Sequence, residues 1–247
     1  MNNQILSLSL IILFAGWLSA CQPSQPPYEC NDAIGCVEIG PGEPIRIGIL
    51  QPLDESKFPG GMVQVRSIEL AAFRHDDQIL DHPIELQIED SLCSAEGGTI
   101  AALTIVADPQ IVGALGTTCS GAAAPAAETI SEAGLVMISG LNTAPSLTKL
   151  RGTPGENWQP GYFRTIYNGT QMARAAATFA YQELGINRAA TIDDGDIYTQ
   201  ELADEFGQVF TELGGEIVLS GIINKNDTNM EPVLTAVAAS GAEAVYF

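Results

Sequence analysis

The sequence predicts an α/β fold of two lobes, each built on a parallel sheet. From Pro44 onward, short apolar runs alternate with helical stretches of about 10–15 residues, the pattern of βαβ units. Most of the apolar runs are nearly continuous, as expected for strands that helices cover on both faces. A second series of the same kind follows the Gly- and Pro-containing loop at residues 152–157 and stops after a strand at Phe247. We therefore expect the second lobe to be incomplete.

The first lobe is predicted to span residues 44–164. Its strand at Ile84–Glu89 alternates apolar and polar residues, which indicates one solvated face. The other predicted strands are Ile45–Leu50, Ile111–Leu115 and Leu135–Ser139, with an extended segment at Tyr162–Thr165, and the helices are Gly61–Gln78, Ala95–Ala107 and Ala122–Glu132.

The second lobe is predicted to span residues 165–247. Its helices are Gly169–Leu184, Thr199–Leu213 and Met230–Ser240, and its strands are Arg188–Ile192, Glu216–Leu219 and Ala242–Phe247. Gly185 and the pair Gly214-Gly215 follow the first two helices, where glycine favours a helix end. Two such lobes place a ligand in the cleft between them, at the carboxyl ends of the strands.

Residues 1–20 resemble the signal peptide of a bacterial lipoprotein. Ile5–Trp17 is apolar but too short to span a bilayer as a stable helix. Leu18-Ser19-Ala20-Cys21 resembles a lipobox, which implies cleavage before Cys21 and lipidation of its thiol. Residues 1–4 contain no Lys or Arg, unlike the usual pattern. A buried helix or a membrane anchor is the alternative.

Residues 21–43 are predicted to be a tether with a small disulfide loop. Gln22–Pro27 is polar and rich in proline, a composition that stays extended. The chain has five cysteines, so lipidation of Cys21 leaves four, an even number that suits an oxidising compartment. Cys30 and Cys36 are close enough in sequence to close a loop. The protein would then be held at a membrane surface from outside the cytoplasm.

If the lipid takes Cys21 and the small loop takes Cys30 and Cys36, then Cys93 and Cys119 remain to form a cross-link in the main body. A four-cysteine zinc site is the alternative, but it normally needs two close pairs, which these spacings do not provide. The formal net charge of −20 argues against nucleic acid or an anionic lipid surface as a partner, because both need basic patches.

The segment GTTCSG at residues 116–121 follows the predicted strand Ile111–Leu115 and opens the next helix. Ser120 is a favourable N-cap residue, and the backbone N–H groups of Gly121 and Ala122 are expected to face outward. This arrangement predicts a cradle for a carboxylate.

A nucleophile on the same turn is the alternative. The G-x-S-x-G motif requires glycine two residues before the serine, where Thr118 stands. A nucleophile also needs a base, and His75 and His82 are expected at the opposite rim of the sheet. A disulfide at Cys119 would remove its thiolate. The segment therefore predicts binding and no enzymatic activity.

Two further loops carry polar side chains toward the predicted cleft. Ser139–Ser146 offers Asn142 and Thr143, although a helix-capping loop would have the same composition. Asp193–Tyr198 contains three aspartates, but an EF-hand needs acidic residues at alternate positions and a glutamate at the twelfth. A calcium site, a solvated turn and a loop that presents Tyr198 to the cleft all stay open.

Together these features resemble the type I periplasmic binding proteins, in particular the branched-chain amino acid (Leu/Ile/Val) receptors of ABC transporters. The resemblance covers Pro44–Phe247 and implies two Rossmann-like lobes. It is carried by the segments Glu89–Cys93, Gly116–Gly121 and Met137–Thr148. In that family the cysteines of the first two segments, here Cys93 and Cys119, form a disulfide. The family's chains continue beyond the position of residue 247.

The resemblance also implies a set of ligand-binding residues. Ser120 and Thr143 would hold the carboxylate and amino groups of an amino acid, and Leu141 would contribute its backbone carbonyl. Tyr198 would close over the ligand from the second lobe. Phe58 loosely matches a ligand-facing aromatic residue in a loop that otherwise lacks the family's pattern.

The function implied is a lipid-anchored, extracytoplasmic solute-binding protein without a cofactor. It would capture a branched-chain or similar amino acid as a monomer and deliver it to the permease of an ABC transporter. A sensor of amino acids or amides on the same fold, without transport, is the alternative.

Overall fold

The computed structural model describes residues 29–32, 35–150 and 152–247. The predicted signal peptide, the lipidation residue Cys21 and the proline-rich part of the tether lie outside the described residues. The chain divides into two compact units, Met1–Asn31 and Asp32–Phe247, and every element below belongs to the second unit. In the described ranges, no helix is both long and apolar enough to cross a membrane.

The larger sheet has six strands, in the order β2-β3-β1-β4-β5-β8. They are β1 (Ile45–Gln51), β2 (Gln78–Ile79), β3 (His82–Asp90), β4 (Ile111–Gly116), β5 (Met137–Ser139) and β8 (Tyr162–Arg164). All neighbours pair in parallel except β2 and β3. The connecting helices are α1 (Pro59–Arg74), α2 (Ala95–Val106) and α3 (Ser120–Glu132). We call this sheet and its helices the first lobe.

The smaller sheet has three parallel strands, in the order β10-β9-β11. They are β9 (Arg188–Asp193), β10 (Glu216–Ile222) and β11 (Ala244–Tyr246). Its helices are α4 (Thr170–Thr178), α5 (Ile197–Glu212) and α6 (Glu231–Ser240). We call this sheet and its helices the second lobe. A two-stranded antiparallel hairpin, β6 (Lys149–Leu150) and β7 (Thr153–Pro154), precedes β8. The predicted α/β fold with parallel sheets is confirmed.

Small residues let α2 and α3 pack closely in the first lobe. A Cβ on Gly98 of α2 would lie 2.2 Å from the carbonyl oxygen of Ala122 in α3, so only glycine fits there. Fully buried alanines continue the contact, with Ala102 on α2 and Ala126 on α3. This packing holds the first turn of α3 at the end of β4.

Aromatic stacking organises the core of the second lobe. The ring of Phe206 in α5 stacks on Phe210, with centroids 5.4 Å apart, and on Tyr246 of β11, at 4.2 Å. Ala173 and Ala177 of α4 are fully buried against the same cluster.

The predicted element boundaries differ from the structure in several places. Helix α1 ends at Arg74 rather than at Gln78, because Asp76 and Asp77 adopt positive φ angles of 55° and 52° and turn the chain into β2. The predicted helix Gly169–Leu184 begins at Thr170 as α4 and ends in a π-helical turn at Phe179–Glu183. Strand β5 is shorter than predicted, and β10 extends three residues further, to Ile222.

Candidate functional site

A cavity of about 500 Å³ lies between the carboxyl ends of the strands of the two lobes. The first lobe contributes Cys93, Thr118, Cys119, Ser120, Leu141 and Thr143. The second lobe side contributes Ile166, Tyr167, Met172, Asp194, Asp196, Tyr198, Thr199 and Lys225. The cavity therefore combines apolar surface with a few polar groups, as in sites for small organic ligands.

The segment GTTCSG leaves β4 through a tight contact with β1. A Cβ on Gly116, whose φ is 151°, would lie 2.2 Å from the carbonyl oxygen of Leu50. Only glycine satisfies both the backbone angle and this approach. The turn directs Thr117 and Thr118 to the top of the sheet.

A buried polar network joins this segment to the loop after β5. The backbone N–H of Thr117 donates to Asn142 Oδ1, and Asn142 Nδ2 donates back to Thr117 Oγ1, both at 3.3 Å. The hydroxyl of Ser139 donates to the Thr117 carbonyl at 3.0 Å and accepts the N–H of Asn142 at 2.9 Å. Because all three side chains are buried, the network fixes the two loops relative to each other.

Arg164 of β8 holds the same loop from below. Its Nη1 donates to the carbonyls of Asn142 and Ala144, at 3.1 and 2.8 Å, and its Nη2 donates to Thr148 Oγ1 at 2.5 Å. Burial lowers the pKa of this guanidinium. Arg164 thereby fixes the backbone on both sides of Thr143.

Tyr162 closes the network on the sheet side. Its hydroxyl donates to Asn142 Oδ1 at 3.1 Å, and burial raises the pKa of the phenol to about 12. The loop that carries Leu141 and Thr143 is thus preorganised by buried hydrogen bonds.

The prediction that Ser120 is the N-cap of its helix is wrong. Cys119 is the N-cap, with extended φ and ψ of −96° and 127°, and Ser120 is the first residue of α3. Ser120 Oγ instead accepts the N–H of Ala144 at 3.3 Å. The prediction that the backbone N–H of Ala122 faces outward is wrong as well, because this N–H donates to the Cys119 carbonyl at 3.2 Å.

Cys93 and Cys119 form a disulfide that closes a separation of 26 residues and lines the cavity. This bond agrees with the pairing that the resemblance implies and removes Cys119 as a thiolate nucleophile. Cys30 and Cys36 are also each disulfide-bonded. Their pairing with each other stays a prediction.

The aspartates of the second lobe cap α5. Asp196 is its N-cap, and Asp196 Oδ1 accepts the N–H of Tyr198 at 3.0 Å. Asp194 Oδ1 accepts the N–H of Asp196 at 3.1 Å and the hydroxyl of Thr199 at 2.5 Å. Burial alone would raise the pKa of Asp194, but these hydrogen bonds and the charge of Lys225 outweigh it and lower that pKa. The described part of the chain contains no cluster of three or more His, Cys, Asp or Glu side chains that could hold a metal ion.

The lobes touch directly at the cavity. Lys225 Nζ donates to the carbonyl of Cys93 at 3.3 Å and lies 3.4 Å from Asp196 Oδ2. A Cβ on Gly121 would lie 2.4 Å from the same Asp196 oxygen. A backbone hydrogen bond also joins the two sides of the cavity, because the N–H of Gly169 donates to the carbonyl of Thr143 at 2.6 Å.

Only some of the predicted site residues line the cavity. Ser120, Leu141, Thr143 and Tyr198 line the cavity together. Gly121 lies beside it, against Asp196. Phe58 is the N-cap of α1, partly buried, and is not part of the cavity lining.

The histidines lie away from the cavity. His75 caps the far end of α1, and His82 begins β3, with its Nδ1 2.8 Å from the carbonyl of Glu43. Neither lines the cavity, so neither can act as a base for Ser120.

The cavity lining also includes residues that the sequence patterns do not single out, among them Ile166, Tyr167, Met172 and Lys225. Lys225 follows β10, and the rule that placed the other loops at carboxyl strand ends could have found it. Ile166 and Tyr167 follow β8 and obey the same rule, whereas Met172 lies in α4, where nothing in the sequence separates cavity residues from ordinary helix residues.

A second cavity, of about 620 Å³, lies in the first lobe between the amino ends of β4 and β5. Val112 and Val136 line it, together with Asp108. Asp108 is already paired with Arg46 Nη1 at 2.7 Å, so we place the candidate site in the cleft, where polar groups of both lobes converge.

A family model described as periplasmic binding protein matches residues 44–247. The chain is similar to an amino acid binding protein of Pseudomonas aeruginosa, 29% identical over 164 residues, which cover 66% of this chain and 42% of the relative. It is also similar to Leu/Ile/Val-binding protein homolog 3 of Brucella melitensis, 28% identical over 205 residues, 82% of this chain and 54% of the relative. The chain thus spans about half the length of these relatives.

Among solved structures, a leucine binding protein from Thermotoga maritima has a similar fold. It superposes with a TM-score of 0.71 at 22% sequence identity, covering 82% of this chain and 55% of that protein. These matches confirm the resemblance inferred from the sequence. The matched family is described as one of binding proteins rather than enzymes, in agreement with the prediction from the sequence.

Proposed function

The chain belongs to the periplasmic binding protein family, and from this premise we propose that it captures a branched-chain or similar amino acid in the cleft between its lobes. The observation that carries the proposal is the cavity itself: Ser120 and Thr143 line it on one lobe, and Tyr198 lines it on the other. Two of the similar proteins are named for binding Leu/Ile/Val or amino acids, which supports the same ligand class.

Ser120 is suited to bind the ligand's carboxylate. Its oxygen already accepts the N–H of Ala144, so its own O–H can donate to a carboxylate at the first turn of α3. The positive end of the helix dipole favours an anion at the same place.

Thr143 and the carbonyl of Leu141 are suited to bind the amino group. Both belong to the loop fixed by Asn142 and Arg164, so they would bind without loop ordering. Side chains such as Ile166 and Met172 give the ligand's aliphatic part an apolar surface.

The mechanism that we propose is lobe closure. A ligand that contacts Ser120 on one lobe and Tyr198 on the other has more contacts in the closed state than in an open one. It therefore shifts the population toward the closed state.

Thermal unfolding in the presence of single amino acids tests the assignment. Leucine, isoleucine or valine should raise the melting temperature in proportion to the logarithm of ligand concentration. Thr143→Val removes only a hydroxyl and should abolish the shift, whereas Thr211→Val on the exposed surface of α5 should preserve it. If no amino acid shifts the melting temperature of the wild-type chain, the assignment is wrong.

We further propose an extracytoplasmic location, a lipid anchor at Cys21 and delivery of the ligand to an ABC permease. The lipobox at residues 18–21 and family membership support this. Cys21→Ala should move the protein from the membrane fraction to the soluble fraction of expressing cells. Unchanged membrane association would contradict the lipid anchor while leaving ligand binding untouched.

A further inference from the structure

We infer that Lys225 is a specificity-determining residue that pairs with the carboxylate of the ligand across the cleft, selecting carboxylates over the corresponding amides. This inference rests on the proposed function and sharpens its ligand class. Among the residues that line the cavity, all of them within the described part of the chain, Lys225 carries the only cationic side chain.

The ammonium of Lys225 has capacity for another acceptor. It carries three donors, and its contacts within the described ranges are the Cys93 carbonyl at 3.3 Å and Asp196 Oδ2 at 3.4 Å. Both distances exceed the roughly 2.7–2.9 Å of strong charge-assisted hydrogen bonds. The Lys225 side chain is 44% exposed, so a ligand in the cavity can reach it.

The two aspartates of the cavity are engaged by the protein itself. Asp196 accepts the Tyr198 N–H, and Asp194 accepts the Asp196 N–H and the Thr199 hydroxyl. These bonds cap α5 and satisfy part of the carboxylates' acceptor capacity. Lys225 has no comparable set of short contacts.

A carboxylate of the protein itself lies beside both Lys225 and the start of α3. Asp196 Oδ2 lies 3.4 Å from Lys225 Nζ and 2.4 Å from the place where a Cβ on Gly121 would stand. Ser120, the proposed carboxylate donor, precedes Gly121 and faces the same cavity. We expect a ligand carboxylate bound at Ser120 to lie near enough to share the Lys225 ammonium with Asp196.

Because Lys225 belongs to the second lobe and Ser120 to the first, the ligand's carboxylate would be held from both sides. An amide of the same shape can accept from Ser120 but carries no charge for Lys225. The selectivity would therefore arise on closure.

Calorimetric titration of the whole chain with leucine and leucinamide tests the inference. Wild type should bind leucine about tenfold to about a hundredfold more tightly, the effect of one hydrogen bond to a charged group. Lys225→Gln should bring the ratio of the two affinities close to one, and Lys225→Arg should restore part of it.

Lys57→Gln is the matched control, because Lys57 is 71% exposed and pairs with Asp54 outside the cavity. It should keep the wild-type ratio. Leucinamide binding as tightly as leucine, or a ratio unchanged in Lys225→Gln, would overturn the inference while leaving amino acid binding intact. Failure of both ligands and of every amino acid to bind would overturn the proposed function and this inference together.

Discussion

Gly121 in the first lobe and Asp196 in the second face each other so closely that a Cβ on Gly121 would lie 2.4 Å from Asp196 Oδ2. The missing side chain at Gly121 is what allows α3 and the cap of α5 to meet beside the cavity. The same contact brings a carboxylate to the positive end of the α3 dipole. Closure of the lobes therefore depends on glycine at this position.

Gly121→Ala should weaken leucine binding about fivefold, since relieving this overlap costs about 1 kcal/mol of closure energy when Asp196 shifts away. The free energy of unfolding should stay within about 0.5 kcal/mol of wild type, because alanine is a better helix former than glycine. Calorimetry and urea unfolding measure the two quantities. An unchanged leucine affinity would contradict the close approach of Asp196 to Gly121.

Gly207→Ala is the control for this variant. Gly207 lies inside α5, and a Cβ there would meet Ile217 Cγ1 at an ordinary 3.5 Å. It should increase the free energy of unfolding by about 0.5–1 kcal/mol and leave leucine affinity unchanged.

Asp196→Asn should increase leucine affinity by about threefold, the scale of a partly exposed charge pair. Asparagine is an equally good N-cap, so α5 keeps its first turn, while the negative charge that competes with the ligand for Lys225 is lost. Competition calorimetry measures the change. A tenfold loss of affinity would instead show that Asp196 itself binds the ligand's ammonium.

Arg164→Lys should lower the free energy of unfolding by about 2 kcal/mol, because a lysine cannot replace the fork that bonds to Asn142, Ala144 and Thr148. Urea unfolding measures this loss. The matched variant Arg174→Lys changes a half-exposed arginine 3.8 Å from Glu205 and should stay within about 0.5 kcal/mol of wild type. Equal effects would contradict the structural role of Arg164.

The buried phenol of Tyr162 should make stability fall at high pH. Its folded pKa of about 12 is above the ordinary value of about 10, so the folded state holds its proton more tightly than the unfolded state. The resulting stabilisation is fully present below pH 10 and is lost as the pH rises through 12, by about 1.4 kcal/mol per pH unit.

Comparison with Tyr162→Phe isolates this effect. The difference in free energy of unfolding between wild type and the variant should be constant up to about pH 10 and then change in favour of the variant. A difference that stays constant up to pH 12 would show that the phenol is not buried as described.

The sequence was sufficient to predict the alternating fold, because each apolar strand and amphipathic helix has its own periodicity. It did not reveal β2 or the β6–β7 hairpin, since two-residue strands have no period. The sequence pattern does not show the end of α1, because Asp76 and Asp77 adopt positive φ angles, which are most often a property of glycine.

The site was predictable where a strand end supplies it and unpredictable where distant residues meet. Ser120 and Thr143 follow neighbouring strands, so topology alone brings them together. Lys225 also follows a strand end, but its contact with Cys93 spans 132 residues, and no local pattern encodes that contact. The sequence pattern predicts Ser120 as an N-cap, and only the structure shows that Cys119 is the N-cap and that the Ser120 hydroxyl accepts the Ala144 N–H.

Equilibrium dialysis of the whole chain against radiolabelled leucine tests the central claim most directly. We predict saturable binding of one leucine per chain, displaced by isoleucine and valine and lost in Ser120→Ala and Thr143→Val. Absence of retained leucine, or retention that both variants preserve, would contradict an amino acid site in this cleft.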